Sequence, residues 1–451
     1  MRSEQEKWLY IPIEIKVREM PAKLLLAAAA AHKGYNVVFG RKAEITKHIN
    51  SMPPGIFLGF GAQKNFSNQY KSLKNKGFSI CIMDEEGLVT FSDDMYKRMR
   101  LSDDTLEYVD AAFAWGEKQE ALLKKYITTP SPEIYTTGNL RFDILRKEFR
   151  HLIQAEAQSI NDRFGKIILI NSSFGSCNHF DGKEKYFESL KTKKIITSQK
   201  DEEFYQKYFE LKENVFNAYT NAIPSIAKAF TDHTIIIRPH PSENHDAWQD
   251  AAQGCPNVKI IHEGSVHPWL IASDAVIHHF CTTALEAFAA ETPAIAYRPF
   301  KDESIESQFV YDTSITAESN DEVITEIHKI LSGEKTSVQS NADGLSKHIR
   351  NLNGAFCFEH MVAALDQHAV KTSQTIYMPK IYMRHIRTML GDIYRFFKSG
   401  KKPTKNYTDH KCPSMDLAEI QSTVNDINKA LKYDTISVQK IAPFCFKIAA
   451  K

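Results

Sequence analysis

The chain has 451 residues, 43% of them hydrophobic and 25% charged, with a formal net charge of +2. That length exceeds one ordinary core and calls for two domains plus an appendage, while the near-neutral balance gives no global electrostatic case for a nucleic-acid partner. The longest uncharged apolar stretch near the start, Leu24 to Ala31, is far short of a bilayer span, and the opening residues do not read as a signal peptide, so the expected location is the cytoplasm. Seven scattered cysteines (81, 177, 255, 281, 357, 412 and 445), with no Cys-x-x-Cys pair, suit a reducing compartment and neither a disulfide framework nor a zinc site.

In chain order, Trp8 to Ile15 reads as a strand, and Pro21 to His32 as an alanine-rich helix with proline near its start and Gly34 as its stop. The strand Tyr35 to Phe39 follows, then short apolar runs at Gly55 to Gly59 and Phe78 to Met83, a helix from Glu117 to Tyr126, the segment Ile134-Tyr135 and a turn at Thr137-Gly138-Asn139. This alternation predicts a parallel sheet with helices on both faces over residues 1–150. Arg141 to Phe164 is charged and helical and reads as a linker.

A second alternating region, 151–370, opens with the strand Lys166 to Ile170 and the small-residue loop Asn171 to Ser176. It continues through a long helix ending near Phe230, strands at Thr234 to Ile237, Val258 to Ile261 and Ala275 to His278, a helix from Thr283 to Ala290 and a strand at Ala294 to Tyr297. The expected fold is therefore α/β, with two Rossmann-like domains and a helical C-terminal extension over 371–451. Between Lys371 and Lys405 that extension carries nine basic residues (Lys371, Lys380, Arg384, Arg387, Arg395, Lys398, Lys401, Lys402 and Lys405) against one acid, Asp392, interleaved with Ile381, Tyr382, Met383, Ile386, Met389, Leu390, Ile393, Tyr394, Phe396 and Phe397. A basic amphipathic helix of this kind either lies on an anionic membrane surface or packs its apolar side across the domains.

Two strands end in chemistry. Phe78 to Met83 runs into Asp84-Glu85-Glu86-Gly87, and Thr234 to Ile237 into Arg238-Pro239-His240-Pro241. In open α/β sheets, ligands bind at the carboxyl ends of the strands. Crowded carboxylates raise one another's pKa, which favours a group able to exchange protons near neutrality; the other reading is a solvated acidic turn. Arg238 and His240 suit a phosphate, by fixed charge and by a directional hydrogen bond, on a loop stiffened by Pro239 and Pro241; the other reading is a rigid polar turn. Thr282 and Thr283 stand at a helix start where hydroxyls and amides cradle an anion, with Glu286 one turn in and able to reach a ribose; alone, they would read as an ordinary threonine cap. Ser172 and Ser173 in the small-residue loop are able to approach a phosphate, or form a plain turn. His262, His267, His278 and His279 fit no metal-ligand spacing, so metal-free chemistry is expected, with His278 structural.

An acidic pair followed by glycine, then a His-Pro motif, then a hydroxyl pair resembles the bacterial sialyltransferases and capsule Kdo transferases of the GT-B fold, and the layout from Trp8 to about Ala364 is similar to surface carbohydrate biosynthesis proteins. Thr137 to Asp143 also resembles the segment closing the first domain of lipid A Kdo transferases. The resemblance implies two domains facing a central cleft and a CMP-activated nonulosonic acid or Kdo-type sugar moved to a hydroxyl of a glycan or lipid-linked glycan acceptor. It makes Glu86 the leading catalytic carboxylate with Glu85 next, His240 the phosphate partner and acid, and Thr282 and Thr283 the phosphate cradle. No cofactor beyond the donor is implied; the membrane reading of the basic extension would place the protein at the inner face of the cytoplasmic membrane, and the domain-packing reading would leave it in the cytoplasm. Here three acids stand where the families have two, and threonines where serines are common. A GT-B transferase using a UDP-sugar or CDP-polyol, or a non-catalytic glycan-assembly protein, would share the His-Pro loop and the Thr-Thr helix.

Overall fold

A computed structural model of the chain describes residues 5–88, 92–128, 132–334, 342–399 and 412–451. The chain forms two compact units: Met1–Gly87 with Arg100–Leu152 and Ser346–Lys451, and Leu88–Met99 with Ile153–Leu345. The expected division at 150 lies close to one crossing between them. The expected division at 370 does not coincide with the other: the chain rejoins the first unit at Ser346, so the final stretch is part of that unit.

In the first unit, strands β1 (Glu6–Ile13), β2 (Tyr35–Arg41), β3 (Ile56–Gly59), β4 (Ser79–Met83), β5 (Ala111–Ala114) and β6 (Glu133–Thr136) form a parallel sheet in the order β2-β1-β3-β4-β5-β6. The Lys16–His32 helix covers it and is buried along nearly its whole length. Its alanines, Ala27 to Ala31, lack the bulk to hold neighbours away. Sheet residues and the Cys357–Gln367 and Leu417–Leu431 helices therefore join one core around it. This helix starts five residues before Pro21, because Glu19 accepts the Ile15 amide (2.9 Å) and closes the first turn.

In the second unit, strands β7 (Ile167–Asn171), β8 (Thr234–Arg238), β9 (Val258–Ile260), β10 (Ala275–His278), β11 (Ala294–Tyr297) and β12 (Ile315–Ala317) form a parallel sheet in the order β12-β11-β10-β7-β8-β9. The order reverses between β7 and β10. That is the topological switch point, where loops from neighbouring strands diverge and leave a crevice. The 31-residue Gln199–Ala229 helix covers this sheet with Val215, Tyr219, Ile223 and Ile226, after a Ser198/Asp201 capping box.

Five strands escape the sequence reading. Strand β5 is a four-residue alanine-rich run, and β12 is three residues long, both too short for periodicity to register. Strands β13 (Lys371–Thr372), β14 (Ile436–Ala442) and β15 (Cys445–Ala450) make the last region more than helical: β13 pairs antiparallel with β1, and the β14-β15 hairpin extends the sheet from β2. The stretch read as a linker from Arg141 is instead buried at its start. The Asp143 carboxylate accepts from Asn351 Nδ2 (2.7 Å) and from the amides of Cys357 and Phe358 (3.0 Å each), so it caps the helix on which the returning chain enters the core. Gly138, at φ +91°, is needed there: a Cβ would lie 2.1 Å from Asn351 Oδ1.

Candidate functional site

The acidic loop leaves β4 in the first unit, and its three carboxylates go three ways. Asp84 is buried and gripped in bidentate fashion by Arg100, through Nε at 2.9 Å and through Nη2, while its carbonyl accepts from Trp115 Nε1 (2.7 Å). Glu85 is also buried. It lies 3.3 Å from Lys23 Nζ and 3.8 Å from Arg141 Nε, and its carbonyl takes a 2.7 Å bond from Arg141 Nη2. Lys23, itself buried, pairs with Glu19 at 2.8 Å, so an alternating chain Glu19–Lys23–Glu85–Arg141 runs beneath the loop. Glu86 has a side chain 59% exposed, with Arg18 and Arg100 guanidinium nitrogens at 3.4 and 3.6 Å. Gly87 admits no side chain, since a Cβ would fall 2.5 Å from Gln119 Nε2 and 2.8 Å from Asp84 Oδ2.

This arrangement corrects the expectation of a proton-exchanging acidic cluster. Burial alone would raise the Glu85 pKa, but Lys23, Arg141 and Arg18 outweigh it and hold the carboxyl below its ordinary range. The crowding inferred from sequence is relieved because cations reach all three acids, Lys23 and Arg141 serving Glu85, Arg18 serving Glu86, and Arg100 shared by Asp84 and Glu86. Glu85, the second catalytic candidate, is enclosed and ion-paired, and Glu86 alone of the three presents an exposed carboxylate.

In the second unit the other motifs do converge. Registers pair His278 with Asn171 and Asn171 with Arg238, so the three strand ends β10, β7 and β8 stop side by side and their loops sit against each other. Asn171 Nδ2 donates to Thr283 Oγ1 (2.9 Å), and Ser173 Oγ to the His279 carbonyl (2.6 Å), tying the β7 loop to the β10 loop across the switch point. On the other side Gly175 touches the His240 loop, where a Cβ would lie 2.1 Å from Ser242 Oγ.

Within this array His240 is exposed. Its Nδ1 lies 2.8 Å from Ser242 Oγ and accepts from the Ser242 amide (3.3 Å). An amide can only donate, so the neutral ring carries its proton on Nε2. His262 Nδ1 donates to the Pro239 carbonyl (2.8 Å) and steadies the loop from below. Thr282, half-buried, stands at the N-terminus of the Thr283–Ala289 helix, and its hydroxyl makes no capping bond.

Other expected donor contacts are turned inward. Arg238 is buried, with Nη1 donating to the Glu263 carbonyl (2.7 Å) and Nη2 to that of Gly264 (3.3 Å) over the Trp269 ring, and burial lowers its pKa to about 10. It anchors the loop after β9 and is not placed to hold a phosphate. Ser172 and Ser173 have hydroxyls engaged with Glu243 and the His279 carbonyl, so they fix the loop. Thr283 is buried and accepts from Asn171, and Glu286 is buried 3.4 Å from His267 Nε2. Pro241 is exposed beside His240.

Two groups organise this array unforeseen by the sequence reading. Glu243 is buried and accepts from Ser172 Oγ (2.6 and 2.7 Å), the Phe174 amide (2.9 Å), the His240 amide (3.0 Å) and Trp248 Nε1 (2.9 Å), joining both loops through one carboxylate. Beneath, Lys212 Nζ reaches Ser173 Oγ (3.0 Å) and His279 Nδ1 (3.3 Å), and His279 leads on to Glu306, which takes a 2.8 Å bond from Arg298. Burial lowers the Lys212 pKa. A signal was available: Lys212 interrupts the apolar face running from Tyr205 to Ile226, and a cation at such a position must find partners inside. Among the described residues no three His, Cys, Asp or Glu side chains group as metal ligands.

No protein-family profile and no curated sequence matches the chain. Solved structures do. The wall teichoic acid polymerase TagF superposes with a TM-score of 0.50 at 9% identity, over 80% of this chain and 89% of that one. UDP-GlcNAc 2-epimerases are also similar: that of Methanocaldococcus jannaschii at TM-score 0.49 and 14% identity, over 80% and 99% of the two chains, and that of Neisseria meningitidis at 0.46 and 12%, over 80% and 98%. The fold is thus of the GT-B type, as expected. None of these three is a sialyltransferase or a Kdo transferase.

Proposed function

We propose that the chain is a GT-B transferase of surface-glycan assembly that uses a nucleoside-diphosphate-linked donor, a UDP-sugar or a CDP-polyol, in place of the CMP-activated acidic sugar implied by the motifs. The observation that carries this reading is the contrast between the two loops: Asp84 and Glu85 are buried and neutralised by cations, whereas His240 is exposed on the loop after β8, at the strand ends beside the switch point. A CMP-sugar transferase needs the acidic loop for chemistry; a diphosphate-linked donor has less use for it. TagF, whose fold the chain shares, has been solved with CDPG.

In this reading the donor phosphates lie at the switch point of the second unit. His240 Nε2–H and the Thr282 hydroxyl donate hydrogen bonds to phosphate oxygens, and these bonds strengthen as negative charge builds on the departing nucleotide. Glu243 holds the two loops at fixed spacing, so little reorganisation is needed at the moment of transfer. The protein groups supply the charge stabilisation, and we carry forward metal-independent chemistry as part of the proposal. Glu86 is the exposed carboxylate that would take the acceptor proton if the donor were a CMP-sugar after all.

Calorimetry with CMP, CDP, UDP and GDP on the wild type and on His240→Ala tests this. Binding of UDP or CDP, weakened at least tenfold by the substitution, is the expected result. Selective CMP binding would restore the acidic-sugar donor, and no nucleotide binding at all would leave a non-catalytic assembly protein.

A further inference from the structure

The Met378–Ser399 helix belongs to the first unit but is held there by few residues. Ile381 is its buried anchor, Arg384 donates to the carbonyl of Lys47, and the Tyr377 amide just ahead bonds to the Ser51 carbonyl (2.9 Å). The rest of its described length faces outward. Tyr377, Tyr382, Met383, Ile386, Met389 and Leu390 are 48–58% exposed and make up half of the large hydrophobic side chains exposed among the described residues. Scattered apolar residues need no explanation, but a contiguous stripe does.

The spacing makes it a stripe. Residues 382, 386 and 389, with 383, 386 and 390, recur at intervals of three and four and fall on one side of a helix, while Lys380, Arg384 and Arg387 follow the same interval on the adjoining side. The surface is thus apolar along its middle and cationic along one border. The charge is concentrated too. From Lys371 to Lys405 the sequence holds a net +8 in a chain whose total is +2, so the remainder is net −6. Arg395 and Lys398, which contribute to that figure, have side chains outside the description, and Lys401, Lys402 and Lys405 lie outside the described residues.

We propose that this helix docks the protein on an anionic lipid surface, lying in the plane of the headgroups. A second protein copy would meet the same basic border and be repelled by it, whereas anionic lipid satisfies the border and the stripe together. No helix among the described residues is long and apolar enough to cross a membrane, so attachment by this element is to the surface.

The experiment is co-sedimentation of the full chain with vesicles of phosphatidylcholine alone and of phosphatidylcholine mixed with phosphatidylglycerol, at low and high salt. The expected result is binding to the anionic vesicles only, weakened by salt, and reduced by roughly tenfold or more in Ile386→Glu/Leu390→Glu and in Lys380→Gln/Arg387→Gln. All four side chains are exposed, so the variants should melt with the wild type, and melting is measured alongside. No binding to anionic vesicles, or equal binding by both variants, overturns the proposal. So does a wild-type dimer in light scattering that Ile386→Glu/Leu390→Glu turns into a monomer, since the stripe would then cover a second copy.

Discussion

Glu243→Gln is the sharpest test of how the second unit holds its loops. The wild-type carboxylate receives Ser172 Oγ, the Phe174 and His240 amides and Trp248 Nε1, all inside the fold. Glutamine fits the space but offers one carbonyl oxygen, and its amide must face one of these donors. If the oxygen takes the Oε1 position, the bonds from Ser172, Phe174 and His240 survive as neutral ones, each weaker by about 1 kcal/mol, and Trp248 Nε1 is left unsatisfied at about 1–3 kcal/mol. Relief from burying a charge returns part of that, so a net loss of about 3 kcal/mol is expected. For a unit of this size that is a fall in Tm of about 10 °C, and a large fraction of the total stability of a typical domain. Scanning calorimetry reads it directly, and nucleotide affinity should fall with it because the His240 amide is one of the four donors. A Tm within about 2 °C of the wild type would refute the view that Glu243 clamps the two loops.

The acidic loop divides in the same way. Glu85→Gln leaves Lys23 and Arg141 short of a counter-charge in a buried place and should cost about 3 kcal/mol, while Glu86→Gln, at an exposed carboxylate, should leave Tm within the range of ordinary surface changes; equal melting of the two variants would contradict the ion-pair chain. Lys212→Met removes the cation under the loops while keeping its apolar stem, so the fold should persist and nucleotide affinity should drop as Ser173 loses its donor; unchanged affinity in calorimetry would show that the lysine is dispensable. Acid should weaken the second unit. Burial, aided by Lys212, pushes His278 down to about 3 and His279 to about 4, so both are neutral in the fold where a free imidazole is charged. Their contribution is whole above about pH 6.5 and is lost as pH falls toward 4, by up to about 1.4 kcal/mol per histidine per pH unit. Asp143 in the first unit works in reverse, since burial raises it to about 7 and its contribution shrinks as pH rises from about 4 toward 7. Hydrogen exchange resolved by unit separates the two, and a second unit equally protected at pH 7 and pH 5 would refute the histidine argument.

The sequence by itself determined the alternating α/β plan, most strand positions, the two loops that end β4 and β8, and the threonines after β10. Those are local signals: an apolar run, its length and the residue that stops it. It also carried the amphipathic character of 378–390, where spacing alone sorts apolar from basic residues. The β14-β15 hairpin and its place beside β2 were not legible, because antiparallel pairing joins residues 37–40 to 445–448 and no local pattern records a partner that distant. Which charged groups are used inside was likewise decided only by the tertiary structure. Asp84, Glu85 and Glu86 are neighbours in sequence, yet Arg100, Lys23 with Arg141, and Arg18 reach them from elsewhere, and folding buries the first two while leaving Glu86 exposed. Arg238 reads as an anion-binding cation until carbonyls of residues 263 and 264 take its donors, while Glu243 and Lys212 became central only when folding brought their partners around them. A buried charge is defined by what surrounds it, and that surrounding is assembled by the fold.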